Sequence, residues 1–137
     1  MVKLNVLLEA EIMGTFTVNC HVVNHLKRSH EAEVRRMLVD TGSECTWIPE
    51  VILEKIGVKP EKKDVPFVMA NGKTITRNIG FAILRIGKHF TIDEVVFALD
   101  DDLALLGART LEGMNLRVDP RAKKLVASGP HPVAASR

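Results

Sequence analysis

The sequence predicts a mostly β domain with two small helices, closed or partly closed into a barrel. Three observations point there. β-Branched residues crowd segments with partial two-residue alternation, as in Thr15-Phe-Thr-Val-Asn-Cys-His-Val-Val23. Asn71-Gly72 sits between two β-rich runs, the strongest short-range hairpin signal. Helical spacing is confined to two short stretches, Pro49 to Ile56 and Ala108 to Glu112.

In chain order, Gly14 to Val23 reads as a strand and the charged stretch Asn24 to Glu33 as an exposed connection. Val34 to Val39 is a strand ending at Asp40-Thr41-Gly42, where glycine signals a sharp change of direction. Pro49 suits the first position of a helix that Gly57 ends. Lys59 to Asp64 reads as a charged loop, and Val65–Met69 and Lys73–Arg77 as hairpin arms around Ala70-Asn71-Gly72. The second arm continues to Ile86, turns at Gly87-Lys88 and returns as His89 to Leu99. After Asp100-Asp101-Asp102 comes the apolar run Leu103 to Leu106, closed by Gly107, then the second helix and a last hairpin of Asn115–Asp119 with Lys124–Ala127. We expect one domain over residues 1–127 and a mobile tail over 128–137, where Pro130 and Pro132 oppose a strand.

Composition narrows the function. With 137 residues, 46% hydrophobic and 26% charged, the chain has the make-up of a single globular domain. A net charge of +2 gives no reason to expect nucleic acid or an anionic membrane as partner. No stretch approaches the ~18 apolar residues of a membrane span, and Glu9 and Glu11 break the opening run that a signal peptide would need. We therefore expect a cytoplasmic protein, with its two cysteines, Cys20 and Cys45, as reduced thiols, although a single bridge is compatible with the sequence.

The chemically informative segment is Met37-Leu38-Val39-Asp40-Thr41-Gly42-Ser43. An apolar strand delivers the carboxylate to a partly dry place, the glycine allows close approach of backbone and substrate, and the hydroxyls can fix the loop by hydrogen bonds. Asp-Thr-Gly alone arises by chance in roughly one chain in forty of this length, and Asp and Gly also favour plain turns. The order of its neighbours adds weight: an Asn-Gly hairpin follows, then Leu105-Leu106-Gly107 before a short helix.

From Gly14 to Val126 the chain resembles the retropepsin-like aspartic proteases, particularly the small single-domain prokaryotic type. The resemblance rests on Leu38 to Ser43, Thr46-Trp47-Ile48-Pro49, Met69 to Lys73, Leu105 to Glu112 and Leu116 to Pro120. It implies a closed β-barrel with one half-site per chain and Asp40, Thr41 and Gly42 as the catalytic loop. Thr41 would buttress that loop across a dimer. Ser43, Ala70, Asn71, Gly72 and Gly107 would border the substrate, with Asn71-Gly72 in a flap. Many retroviral relatives carry Arg directly after the glycine matching Gly107 and pair it with an acid beyond the catalytic loop. Here Ala108 intervenes, so Glu44 and Arg109 would make that pair in a shifted register.

Acid–water hydrolysis of this type needs two carboxylates, and the chain holds one Asp-Thr-Gly. A twofold homodimer supplies the second. Two carboxylates ~3 Å apart repel by about 5 kcal/mol at an effective dielectric of 20, so they share one proton, the known behaviour of aspartic-protease dyads. The expected activity is peptide or protein hydrolysis without metal or cofactor. A peptide-binding or dimerisation module without turnover is the alternative.

Other residues offer less. Cys20 and His21 fall on opposite faces of a strand, so with His25 and His30 they match no zinc pattern. Asp100 to Asp102 lacks the alternation of an EF-hand and reads as a solvated loop. Cys45 has no adjacent His to make it a nucleophile. Trp47 suits either a substrate pocket or the core. Lys27, Arg28, Arg35 and Arg36 interleave with Glu31 and Glu33 as a mixed surface.

Overall fold

The computed structural model describes residues 16–134. Strands β1 (Thr17–Val23), β2 (Glu31–Val39) and β3 (Thr46–Pro49) precede helix α1 (Glu50–Lys55). Strands β4 (Lys62–Val68), β5 (Thr74–Ile86), β6 (His89–Ala98) and β7 (Leu105–Leu106) follow, then helix α2 (Ala108–Gly113) and the hairpin β8 (Leu116–Asp119) and β9 (Lys124–Ala127). Gly14, Thr15 and the opening segment Met1 to Met13 lie outside the described residues.

The main sheet runs β1-β2-β7-β3-β6-β5-β4, and β1 pairs a second time with β5. Six strands therefore close into a ring, and β4 hangs outside it on the first half of β5. The second half of β5 closes the ring through Ile83–Arg85 against Val23–His21. This is the mostly β architecture with two short helices that the sequence predicts. Alternation explains the ring's filling: Cys20 and Val22 from β1, Ala82 and Leu84 from β5, and Val95 and Phe97 from β6 pack with Met37, Ile48 and Leu106 in the core. A second, smaller cluster of Trp47, Ile79, Val96 and Ala98 packs beneath the β4–β5 hairpin.

Several expected boundaries shift. β2 begins at Glu31 and β4 at Lys62, inside stretches expected to be loops. Both starts are exposed, and a strand with one solvated side accepts charged residues there. Pro49 is not the first helical residue: it has extended backbone (φ −51°, ψ 130°), closes β3 opposite Ala98, and caps α1.

Two ladder irregularities share one device. Arg36 and Asp64 have positive φ (55° and 54°), beside register shifts in β1–β2 and β4–β5. Each N–H is taken by an asparagine of the neighbouring strand, Arg36 by Asn19 Oδ1 and Asp64 by Asn78 Oδ1, both at 3.1 Å. The side-chain amide replaces the missing ladder acceptor, which offsets part of the backbone strain.

The Ala70-Asn71-Gly72 hairpin also differs from a two-residue turn. Gly72 N–H donates to Met69 O and Met69 N–H to Lys73 O, both at 2.8 Å. A two-residue Asn-Gly turn would place both residues in the left-handed region, but only Gly72 has positive φ (84°) and Asn71 does not. This is a three-residue loop, a turn followed by a left-handed glycine. Register explains it: Phe67 opposes Ile75, and both must turn toward the second cluster.

The tail from Ser128 to Ala134 carries no helix or strand, and Asn115 holds its start through Ser128 N–H and Gly129 O. No helix among the described residues is long and apolar enough to cross a membrane.

Candidate active site

Asp40 leaves the end of β2 where that strand runs parallel to β7, with Leu38 beside Leu105 and Val39 beside Leu106. The two segments are stitched by backbone hydrogen bonds. Leu38 N–H donates to Ala104 O and Asp40 N–H to Leu106 O (both 3.0 Å), while Ala108 N–H donates to Ser43 O (2.8 Å) and Arg109 N–H to Glu44 O (3.1 Å). The loop is further closed by Ser43 N–H on Asp40 O (3.1 Å). Gly42 N–H donates to Asp40 Oδ1 at 3.0 Å. Asp40 Oδ2 has no hydrogen-bond partner among the described residues, and the side chain is half-buried. One oxygen is thus fixed and the other presented.

Gly107 shows why glycine stands there. A Cβ would come within 2.4 Å of Cys45 O and 2.8 Å of Glu44 O, so only glycine lets the two segments touch. Its N–H donates to Thr46 Oγ1 (2.9 Å). Thr46 Oγ1 lies 2.6 Å from Thr110 Oγ1, which donates to Asp93 Oδ2 (2.9 Å). A hydroxyl has one proton. Since Thr110 gives its own to Asp93, Thr46 gives its to Thr110 and accepts from Gly107. This directed chain runs from the loop's support to a carboxylate, and both threonines are fully buried. Reading the sequence missed it. Its signal was a threonine within the apolar run Thr46-Trp47-Ile48 and another facing inward from α2.

Beside Asp40 opens a cleft of about 490 Å³. Its apolar wall includes Trp47, Phe67, Val68, Met69, Leu103 and Leu105. Trp47 and Phe67 meet edge to face with ring centroids 5.1 Å apart. Trp47 is therefore both buried and part of the pocket. Of the expected substrate-bordering residues, Ser43 and Ala70 line the cleft with Asp40 and Gly42. Asn71 and Gly72 stand further out at the hairpin tip, exposed, and Gly107 is buried behind Cys45. Thr41 is exposed at the loop's apex.

Two charge expectations change. Arg109 does not reach the Glu44 side chain: its guanidinium lies 4.0 Å from Asp93 and 3.7 Å from Glu94, two carboxylates of β6. Nor is Asp102 merely solvated. Arg77 grips it with Nε at 2.6 Å from Oδ2 and Nη2 at 3.0 Å from Oδ1, and Leu99 N–H donates to Oδ2 (2.8 Å). This two-pronged pair, with the Asp102 side chain only 6% exposed, ties the hairpin strand β5 to the loop bounding the cleft. Cys45 lines the cleft as a free thiol. Burial pushes that thiol above its ordinary range, Arg109 opposing, which suits an inert side chain. Cys20 points into the core while His21 faces Glu31 and Glu33 outside, so the two are on opposite faces as expected.

A search among curated proteins finds no significant match. A family model described as aspartyl protease matches residues 28–116, well over half of the chain, and spans the Asp40 loop, the hairpin, Gly107 and α2. With this match added to an apolar strand ending in Asp-Thr-Gly and a glycine-closed crossing beneath it, the chain belongs to the aspartyl protease family of the retropepsin-like clan.

Proposed function

We propose that the protein is a homodimeric aspartic endopeptidase in which Asp40 of each chain supplies half of the catalytic pair. The observation that carries this reading is the Asp40 loop itself. It holds a half-buried carboxylate at a cleft, with Oδ1 fixed by Gly42 and Oδ2 free among the described residues. Two such loops meeting on a twofold axis give a pair that shares one proton. The ionised member takes a proton from water as its oxygen attacks the peptide carbonyl. The protonated member gives its proton to the carbonyl oxygen, and a proton then passes to the leaving nitrogen as the C–N bond breaks.

The substrate is an extended peptide or protein segment between the Asp40 loop and the Ala70–Gly72 hairpin, which acts as a flap. Ser43, Ala70, Asn71 and Gly72 border it, and Gly107 supports the loop from behind. Thr41, exposed in the single chain, buttresses the partner's loop. The interface takes in Asp40–Gly42 and the strand at Asn115–Asp119. No metal or cofactor takes part, and the protein works in the cytoplasm.

The test is cleavage of a peptide library by wild type and Asp40→Asn in parallel. Turnover should survive metal chelation and thiol and serine reagents, and Asp40→Asn should lower kcat/KM by at least about a hundredfold. Undiminished cleavage by Asp40→Asn would refute the assignment. Peptide binding without cleavage by wild type would leave a binding module.

A further inference from the structure

The cleft's charge runs against that of the whole chain. The protein carries a net +2, yet every charged residue lining the cleft is acidic: Asp40, Glu44, Asp101 and Asp102. These four do not have equal freedom. Asp40 belongs to the catalytic loop. Asp102 is held by the Arg77 fork and by Leu99 N–H. Glu44 and Asp101 are exposed, and neither side chain has a hydrogen bond or ion pair among the described residues.

Some acids outside the cleft have cations beside them, as Glu33 has Arg35, Glu94 has Lys62 and Arg109, and Glu31 has Arg85. A second cavity of about 560 Å³ adjoins the first through Asp101 and Asp102, and adds Glu50 and Asp100. Its one cation, Arg77, is the one already engaged by Asp102. Other polar groups do not change the balance. The Ser43 hydroxyl gives its proton to Cys45 O (2.9 Å), so it offers an incoming peptide an acceptor. From the Asp40 loop to Asp101 the cleft therefore presents an apolar wall and two exposed carboxylates without a direct ion-pair partner among the described residues, Arg77 acting on Asp101 only at a distance.

We propose, building on the peptidase reading, that the cleft selects extended peptides in which a large apolar side chain is flanked by lysine or arginine. The apolar residue packs against Trp47, Phe67 and Leu105, and the cation meets Asp101 or Glu44. Glu44 and Asp101 are then specificity-determining residues. Both carboxylates are exposed, so each contact is modest and screened by salt. Discrimination grows because an acidic flank is repelled where a basic one is attracted.

The experiment uses the full-length Asp40→Asn protein, which can bind without cutting, and reads the fluorescence of Trp47, the sole tryptophan and a lining residue of the cleft. The probes are N-acetylated, C-amidated peptides with a central Phe-Leu pair and Lys, Gln or Glu two to four residues away, so that the side chain is their only charge. At low salt the Lys peptides should bind about fivefold or more tighter than the Glu peptides, with Gln between. The ratio should fall below about twofold in 0.5 M salt, and toward one in the additional variants Asp101→Asn and Glu44→Gln. Equal affinities, a preference for Glu, or an unchanged ratio in both variants would overturn the proposal, as would failure of every peptide to bind. Cleavage by wild type is measured separately on the same set. A Lys preference in binding without cleavage would sink the peptidase reading and leave the charge selectivity standing, whereas cleavage blind to the flank would do the reverse.

Discussion

Cys20 shows how one side chain couples the core to pH. It is fully buried on β1, and burial pushes its thiol up from an ordinary 9.0 to about 11, the Arg85 backbone and charge opposing. Above pH 9 the unfolded chain loses this proton first, so the folded state binds more protons and unfolding becomes easier as pH rises. The contribution is complete below pH 9 and gone above about 11. It amounts to on the order of 2–3 kcal/mol. Between pH 8 and 10.5, wild type should lose about 2 kcal/mol more than Cys20→Ala in urea unfolding. Equal losses would show that the thiol is not held protonated. Single residues were unevenly legible in the sequence. Asp40 announced itself because its chemistry needs a local pattern. The Gly107–Thr46–Thr110–Asp93 chain did not, because its two threonines stand 64 residues apart and only the fold joins them. Asp102 was hidden for the same reason, its partner Arg77 lying 25 residues away.

Among elements, the β4–β5 hairpin is the one that borders the cleft from outside the ring. β4 pairs only with β5 and stands outside the ring, and Pro66 fits that edge position. A Cβ on Gly72 would touch nothing within 4 Å, so the cost of replacing it comes from its positive φ alone. Gly72→Val should strain the tip by about 1–2 kcal/mol while the ring stays folded. We expect peptide affinity or KM to worsen severalfold with little change in the cooperative unfolding of the core. Loss of folding would mean that the hairpin is core structure rather than a cover. The sequence located this hairpin but not its loop type, since Asn-Gly suits more than one loop length and the apolar residues facing Trp47 set the register. Element ends were misplaced at Glu31 and Lys62, because these strand starts are exposed and rich in charge, a composition that also marks a surface loop.

For the whole molecule, the proposed mechanism needs two chains, because each carries one Asp-Thr-Gly. Sedimentation at micromolar concentration should give about twice 15.2 kDa, for wild type and for Asp40→Asn. A monomer at that concentration would leave half a catalytic pair. Ring closure was foreseeable from strand count and turns. The parallel pairings of β2 with β7 and β3 with β6 were not, because they join segments with no local relation. Those pairings carry a consequence for the order of assembly. The backbone of Asp40 is held by Leu106, and its loop by Ala108 and Arg109. During synthesis the Asp-Thr-Gly segment leaves the ribosome long before these partners, and contacts so distant in sequence form late. On the peptidase reading, a nascent chain that ends before Leu106 carries the acid without the scaffold that aims it, so a growing polypeptide would not cut its neighbours before the fold is nearly built.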